Sequence, residues 1–185
     1  MSFRFTQLEL PGLVLIEETR RGDARGFFAE TYRESAFNEA GFTQTFVQDN
    51  HARSTRGVLR GLHYQLPPRP QGKLVRVVQG EVYDVVVDIR KGSPGYGRWV
   101  GTRLSGDHGA LLWVPPGFAH GYVVLSETVD LTYKVTAEFD PALDRGIRWN
   151  DPAVGVKWPD LEPILSARDQ ALPLLSNADN PFVAG

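Results

Sequence analysis

The chain has 185 residues, a formal net charge of -2 and no cysteine. That length fits one domain with a sizeable core. The missing thiols exclude disulfides, thiolate metal sites and cysteine nucleophiles, and the slight acidity leaves no basic excess for a nucleic-acid backbone. A few converging arginines can still hold a small anion without altering that balance. No apolar run approaches the ~20 residues of a membrane span. The opening MSFRFTQLELPG also lacks the apolar centre of a secretory signal. The expectation is a soluble, cytoplasmic protein that engages neither nucleic acid nor membrane.

Glycine (19 residues) and proline (13 residues) punctuate short runs rich in Val, Leu, Ile, Tyr and Trp. This is the pattern of strands joined by turns. In chain order the predicted strands are Leu13–Glu17, Gly26–Tyr32, Phe46–His51, Val58–Gln65, Lys73–Gln79, Glu81–Ile89, Trp99–Leu104, Ala110–Val114, His120–Leu125 and Val129–Val135. Short helices are expected at Ser35–Ala40 and near Ala167–Ala171, and no longer segment keeps a 3.6-residue period. The fold class is all-β, a sandwich or barrel with the jelly roll included. The whole chain, residues 1–185, reads as one domain with a core at about 10–140. From Asp140 prolines recur (Pro141, Pro152, Pro159, Pro163, Pro173, Pro181), predicting a tail that wraps the barrel as loops and short helices.

Two predicted strands alternate strongly. Tyr83, Val85, Val87 and Ile89 should face a core, with Asp84 and Asp88 on the other face. Val129, Leu131, Tyr133 and Val135 share a face, and Lys134 points away. On this pattern Tyr133 is either a core tyrosine with a satisfied hydroxyl or a pocket residue.

Four histidines are the first candidates for proton transfer: His51, His63, His108 and His120. His108 lies in the polar turn Ser105–Gly109 and should be solvated; His51 is ambiguous. The stretch Gly109–His120 resembles the second cupin motif, with a strand, a sharp Pro116-Gly117 turn, and a histidine entering the barrel mouth. In metal-binding cupins the first motif supplies His-x-His and a glutamate. Here His63 is followed by Tyr64 and Gln65, and the next glutamate is Glu81. That leaves too few good ligands for a transition metal, so a metal-dependent cupin is the weaker alternative.

Further strings carry a broader resemblance. They are Gly22–Glu30, Gln48-Asp49-Asn50-His51, Gly57–Gln65, Gln71–Arg76, Val87-Asp88-Ile89-Arg90, Pro116–Gly121, Tyr133-Lys134, Ile147–Asp151 and Leu165–Asp169. Together and in this order they resemble the dTDP-4-dehydrorhamnose 3,5-epimerase family. The resemblance implies a cupin-type jelly roll, a homodimer, and no metal or other cofactor. It also implies a dTDP-4-keto-6-deoxyhexose substrate in dTDP-L-rhamnose biosynthesis. It places the base on His63, its aspartate partner on Asp169 and the acid on Tyr133; the chemistry adds Lys73 as an electrostatic helper. Substrate contacts fall on Arg25, Glu30, Gln48, Asp49, Asn50, Arg60, Lys73, His120, Asp144 and Arg168. The chain departs from the family pattern at Ala52 and Gly95, where a serine and a threonine are usual. It also departs at Asp144 and Arg168, which replace glutamate and lysine.

These residue types suit the reaction. A ketone at C4 acidifies C3 and C5, and inversion needs a base on one face, an acid on the other and positive charge at the C4 oxygen. A histidine titrates near neutral pH, and an aspartate fixes its tautomer. A tyrosine holds a transferable proton, a lysine steadies the enolate oxygen, and arginines clamp a diphosphate. Phe27 or Phe28 is a candidate to stack on thymine, and either is equally a candidate for the core. One geometric demand follows. Arg60 and His63 differ by an odd offset, so both reach one pocket only if the strand is irregular near Gly61. The alternatives are an epimerase acting at one carbon and a sugar-nucleotide-binding module without catalysis.

Overall fold

The computed structural model describes residues 2–185. Its strands are β1 (Phe3–Gln7), β2 (Val14–Glu18), β3 (Arg20–Asp23), β4 (Gly26–Ala29), β5 (Gln48–Thr55), β6 (Leu59–Gln65) and β7 (Lys73–Gln79). They continue with β8 (Glu81–Asp88), β9 (Trp99–Ser105), β10 (Ala110–Val114), β11 (Phe118–Val124), β12 (Thr128–Val135) and β13 (Asp144–Gly146). Two short helices, α1 (Glu34–Glu39) and α2 (Ala167–Gln170), complete the set with a single 3-10 turn at Leu175–Asn177.

The strands form a six-stranded sheet in the order β1-β2-β10-β7-β12-β5 and a five-stranded sheet in the order β13-β6-β11-β8-β9. Every pairing within them is antiparallel. The fold is all-β, as the strand pattern predicts. Strand β1 falls outside the predicted set, although Phe3 and Phe5 alternate there with Arg4 and Thr6. The sheet therefore begins ahead of the expected core boundary. The hairpin β3–β4 is a small sheet of its own.

The two large sheets face each other across a core built by alternate residues of each. Val75, Val77, Leu112, Leu131 and Val129 come from one sheet, and Val82, Val86, Leu104, Phe118 and Val124 from the other. Each outer face is covered as well. The C-terminal tail lays Ile147, Val154 and Leu175 over Leu62, Tyr64, Val85, Val87 and Ile89. Aromatic residues around α1 cover Ile16, Leu74, Leu111 and Trp113, with Phe37 at their centre.

This double coverage corrects the reading of β8. Val85, Val87 and Ile89 are buried, as expected, and Tyr83 partly so, but under the tail. The face carrying Asp84 and Asp88 is the barrel interior, and both aspartates are wholly buried. Asp88 is held there by Arg90, whose Nη2 donates to it at 2.7 Å, and by the Ser93 hydroxyl at 2.6 Å.

Strand β6 breaks its register where the sequence demands it. His120 of β11 pairs with His63, but Tyr122 pairs with Arg60, so the ladder slips at Gly61. Gly61 has φ +133, a backbone conformation favouring glycine. A side chain at Gly61 would meet the Gly121 Cα at 2.6 Å, and one at Gly121 would meet the Arg60 carbonyl at 2.5 Å. Two glycines let β6 and β11 touch backbone to backbone there. Gly61→Ala should therefore cost about 2–4 kcal/mol in urea unfolding, whereas Gly92→Ala, also at positive φ but in open space, should cost only about 1 kcal/mol. Equal losses would show that the contact with Gly121 is unimportant.

Candidate active site

A cavity of about 400 Å³ opens between the sheets, in the size range of small-molecule sites. Its lining includes Arg60, His63, Lys73, His120, Tyr133, Arg168 and Asp169. His63 sits on β6 and Tyr133 on β12, so they approach from opposite sheets.

His63 is tied to the tail. Its Nε2 lies 2.6 Å from an Asp169 carboxylate oxygen, a bond joining residues 106 positions apart. Asp169 stands in α2, where the Ser166 hydroxyl accepts the Asp169 backbone N–H at 3.0 Å. Burial opposes ionisation of Asp169, but the bond to His63, the Ser166 hydroxyl and the nearby Arg168 together hold its pKa below the ordinary value. The carboxylate is thus charged at neutral pH and stabilises an imidazolium on His63. With Nε2 committed to Asp169, Nδ1 is the nitrogen left for a substrate proton.

The second cavity histidine has its own carboxylate. His120 Nε2 lies 3.0 and 2.9 Å from the two oxygens of Asp84. Asp84 was missed as a site residue because alternation alone places it opposite the core. The signal that both faces of β8 are buried was its unbroken Val85-Val86-Val87 run.

Lys73 opens β7 at the cavity wall. Burial drives its pKa down to about 8, against the pull of Asp144 and Asp84. At pH 7 it remains a cation, made less secure by desolvation. Burial raises the Tyr133 pKa above the phenol value and the Arg60 charge restrains the rise. Its hydroxyl therefore keeps its proton at neutral pH. Arg60 turns into the cavity beside His63, and its Nε donates to the Ser54 hydroxyl at 3.1 Å.

Other expected contacts are not gathered by the single chain. Arg25 is exposed on the β3–β4 hairpin and pairs with Asp23 at 2.5 Å, while Glu30 pairs with Arg33 at 3.3 Å. Asp49 points to the outer face of β5, where Lys134 binds it at 2.9 Å and both line a separate groove. Pleat parity puts Asp49 on the face opposite Ala52, which lines the cavity; Asn50, also expected at the substrate, lines the separate groove beside Asp49 instead. Gln48 Nε2 donates to Asn50 Oδ1 at 2.8 Å, and Gln48 Oε1 accepts the Phe139 N–H at 2.9 Å. Neither Gln48 nor Phe139 lines the cavity, and Phe139 exposes its ring. Asp144 holds Arg168 at 2.6 Å instead of projecting a free carboxylate. Phe27 and Phe28 are not core residues; both are exposed. His51 pairs with Asp130 on the outer face at 2.8 Å, and His108 meets the Ser105 hydroxyl at 2.8 Å.

The sequence profile of the dTDP-4-dehydrorhamnose 3,5-epimerase family matches residues 7–177. The chain belongs to this family. A dTDP-4-dehydrorhamnose 3,5-epimerase of Pseudomonas aeruginosa is 51% identical over 94% of this chain and 97% of its own. The crystal structure of dTDP-6-deoxy-D-glucose-3,5-epimerase from Legionella pneumophila, in complex with dTDP-4-keto-L-rhamnose, superposes with a TM-score of 0.95. It is 44% identical and covers 99% of this chain and 100% of its own. A dTDP-4-dehydrorhamnose 3-epimerase of Streptomyces niveus is 39% identical over 95% of this chain and 85% of its own. As a member of the epimerase family the chain is an enzyme, an isomerase, with the cupin-type fold of its structural neighbours.

The electrostatics of this epimerase cavity set a pH dependence. Lys73 is cationic below its pKa of about 8 and neutral above it. The free-enzyme profile of kcat/KM should therefore fall on the alkaline side with a midpoint near 8, while Tyr133, pushed up by burial from the ordinary phenol value, stays protonated through that range. Lys73→Arg, at whatever activity it retains, should lose that limb. An unchanged limb in the variant would assign it to another group.

Proposed function

We propose that the chain inverts both C3 and C5 of dTDP-4-dehydro-6-deoxy-D-glucose, giving dTDP-4-dehydro-L-rhamnose in dTDP-L-rhamnose biosynthesis. The observation that carries the reading is the His63–Asp169 dyad facing Tyr133 across one cavity that also holds Lys73. His63 Nδ1 takes a proton from the carbon beside the C4 ketone, and the C–H electron pair moves onto the C4 oxygen as an enolate. Lys73 places its ammonium by that oxygen, where preorganised charge lowers the barrier most. Tyr133 then gives its proton to the same carbon from the opposite face; solvent reprotonates the resulting phenolate and takes the proton from His63, restoring both groups for the next step. Arg60 and His120 hold the diphosphate. The same machinery serves both carbons because each flanks the one ketone. The cysteine-free composition fits a cytoplasmic setting.

We further propose that the working unit is a homodimer. Support comes from what one chain leaves out: Arg25 and Glu30 lie off the cavity, on and just after a hairpin whose Phe27 and Phe28 face solvent. A second copy's hairpin, laid over the mouth, would bring a guanidinium and an aromatic face to the nucleotide.

Incubation with the substrate in deuterated water tests the reaction. Deuterium should appear at both C3 and C5; uptake at one carbon alone would instead mark a single-carbon epimerase, and uptake at neither would remove the catalytic reading. His63→Ala should abolish exchange. Tyr133→Phe should still exchange yet lose inversion, and Asp169→Asn should lower kcat by about 10²- to 10⁴-fold. Coexpression tests the dimer. Pairing His63→Ala with Arg25→Ala chains should restore about a quarter of wild-type activity, since half the dimers carry one intact site. No recovery above either variant alone would argue that Arg25 does not serve the partner's site.

A further inference from the structure

We propose that Ser54 is a positioning residue, whose buried hydroxyl presets the Arg60 guanidinium for the diphosphate of the nucleotide sugar. The inference rests on the reading of Arg60 as a diphosphate ligand.

The geometry begins with two strands of different sheets. Ser54 lies on β5, an edge strand of the six-stranded sheet, and Arg60 on β6 of the five-stranded one. Ser54 is only 6% exposed, whereas Arg60 reaches into the open cavity. The Arg60 Nε–H donates to the Ser54 hydroxyl at 3.1 Å, so one bond spans the gap between the sheets beside the cavity.

Which nitrogen is used matters. A guanidinium is planar, so fixing Nε fixes the direction of the fork made by the two terminal nitrogens. Those two are the nitrogens that grip phosphate oxygens in a forked pair. Anchoring Nε therefore spends no phosphate-binding donor and removes rotamer freedom before the ligand arrives.

The backbone supports the same arrangement. The slip at Gly61 turns Arg60 to the cavity side, and Gly121 leaves room for the Arg60 backbone carbonyl. Arg60's charge restrains the pKa of both Tyr122 and Tyr133, which places the guanidinium near both cavity phenols. Along β5 the neighbouring cavity-facing position is Ala52, which has no hydroxyl to take over if Ser54 is lost.

The test compares dTDP binding by calorimetry with steady-state epimerisation in Ser54→Ala, Ser54→Cys, Ser54→Thr, Arg60→Ala and the Ser54→Ala/Arg60→Ala double variant. Ser54→Ala should weaken dTDP binding and raise KM by about 5- to 10-fold, with kcat held within about twofold. Ser54→Thr, which keeps the hydroxyl, should bind as the wild type does. Ser54 also neighbours the Tyr122 hydroxyl, but if it serves the diphosphate through the arginine, the double variant should be no weaker than Arg60→Ala alone. Ser54→Cys, of similar size but a poor acceptor, should repeat the alanine result and serves if the alanine variant fails to fold. Wild-type binding in Ser54→Ala, beside weakened binding in Arg60→Ala, would overturn the role of Ser54 and leave Arg60 in place. Wild-type binding in Arg60→Ala would instead overturn the reading of Arg60 itself. A fall in kcat at unchanged KM would also overturn the proposal.

Discussion

The backbone contact between Gly61 and Gly121 is the constraint on which the site depends. A regular β6 would send Arg60 and His63 to opposite faces, one into the cavity and one under the tail. The slipped register at Gly61 lets both enter the same space. That slip requires a positive φ and two strands close enough that neither residue can carry a Cβ. The contact also sets β11 beside β6, with His120 directly opposite His63. The two cavity histidines are thus cross-strand neighbours, each tethered to its own buried carboxylate.

Those carboxylates come from different parts of the fold, and the difference has consequences. Asp84 belongs to β8, inside the barrel, and is fixed by sheet pairing on both sides. Asp169 arrives with the tail, after the chain has crossed the outer face of the five-stranded sheet. Its position depends on a short helix, a serine cap and an ion pair from Arg168 to Asp144. The His63 dyad is therefore only as well ordered as the packing of Ile147, Val154 and Leu175 on that sheet. Large apolar burial far from the chemistry holds a 2.6 Å hydrogen bond within it.

Charge inside the cavity is balanced by design of the sheets as well. Lys73 and Arg60 bring positive charge from opposite sheets, and Asp84, Asp144 and Asp169 oppose it. Burial loosens the lysine toward its neutral form, against the pull of Asp144 and Asp84, and holds the tyrosine in its protonated form, against the Arg60 charge. Both states suit the proposed chemistry, in which the site receives an enolate and delivers a proton. Outside the cavity, the hairpin leaves Phe27 and Phe28 exposed, which is why a second copy enters the functional proposal.

Much of this was legible in the residues themselves. Alternation and glycine–proline punctuation determined an all-β chain, because a strand's two faces differ in burial and its ends need turns. The odd spacing of Arg60 and His63 required a break at Gly61, because side-chain direction in a strand has a period of two. The Gln65 in place of a second histidine argued for acid–base use of His63; in the structure that glutamine is buried, its amide donating to the Arg69 and Glu138 carbonyls at 2.6 and 3.0 Å. Tertiary structure alone decided the rest. Whether Asp84 met solvent or the barrel interior depended on what covers the opposite face; the Val85-Val86-Val87 run signalled two buried faces, but only the assembled structure showed the tail lying on one of them. Asp169 reached His63 across 106 residues through packing, and Asp49 and Arg25 left the cavity through pleat parity and a protruding hairpin. Sequence fixes which way a side chain points along its own strand; only the assembled sheets decide what stands on each side of it.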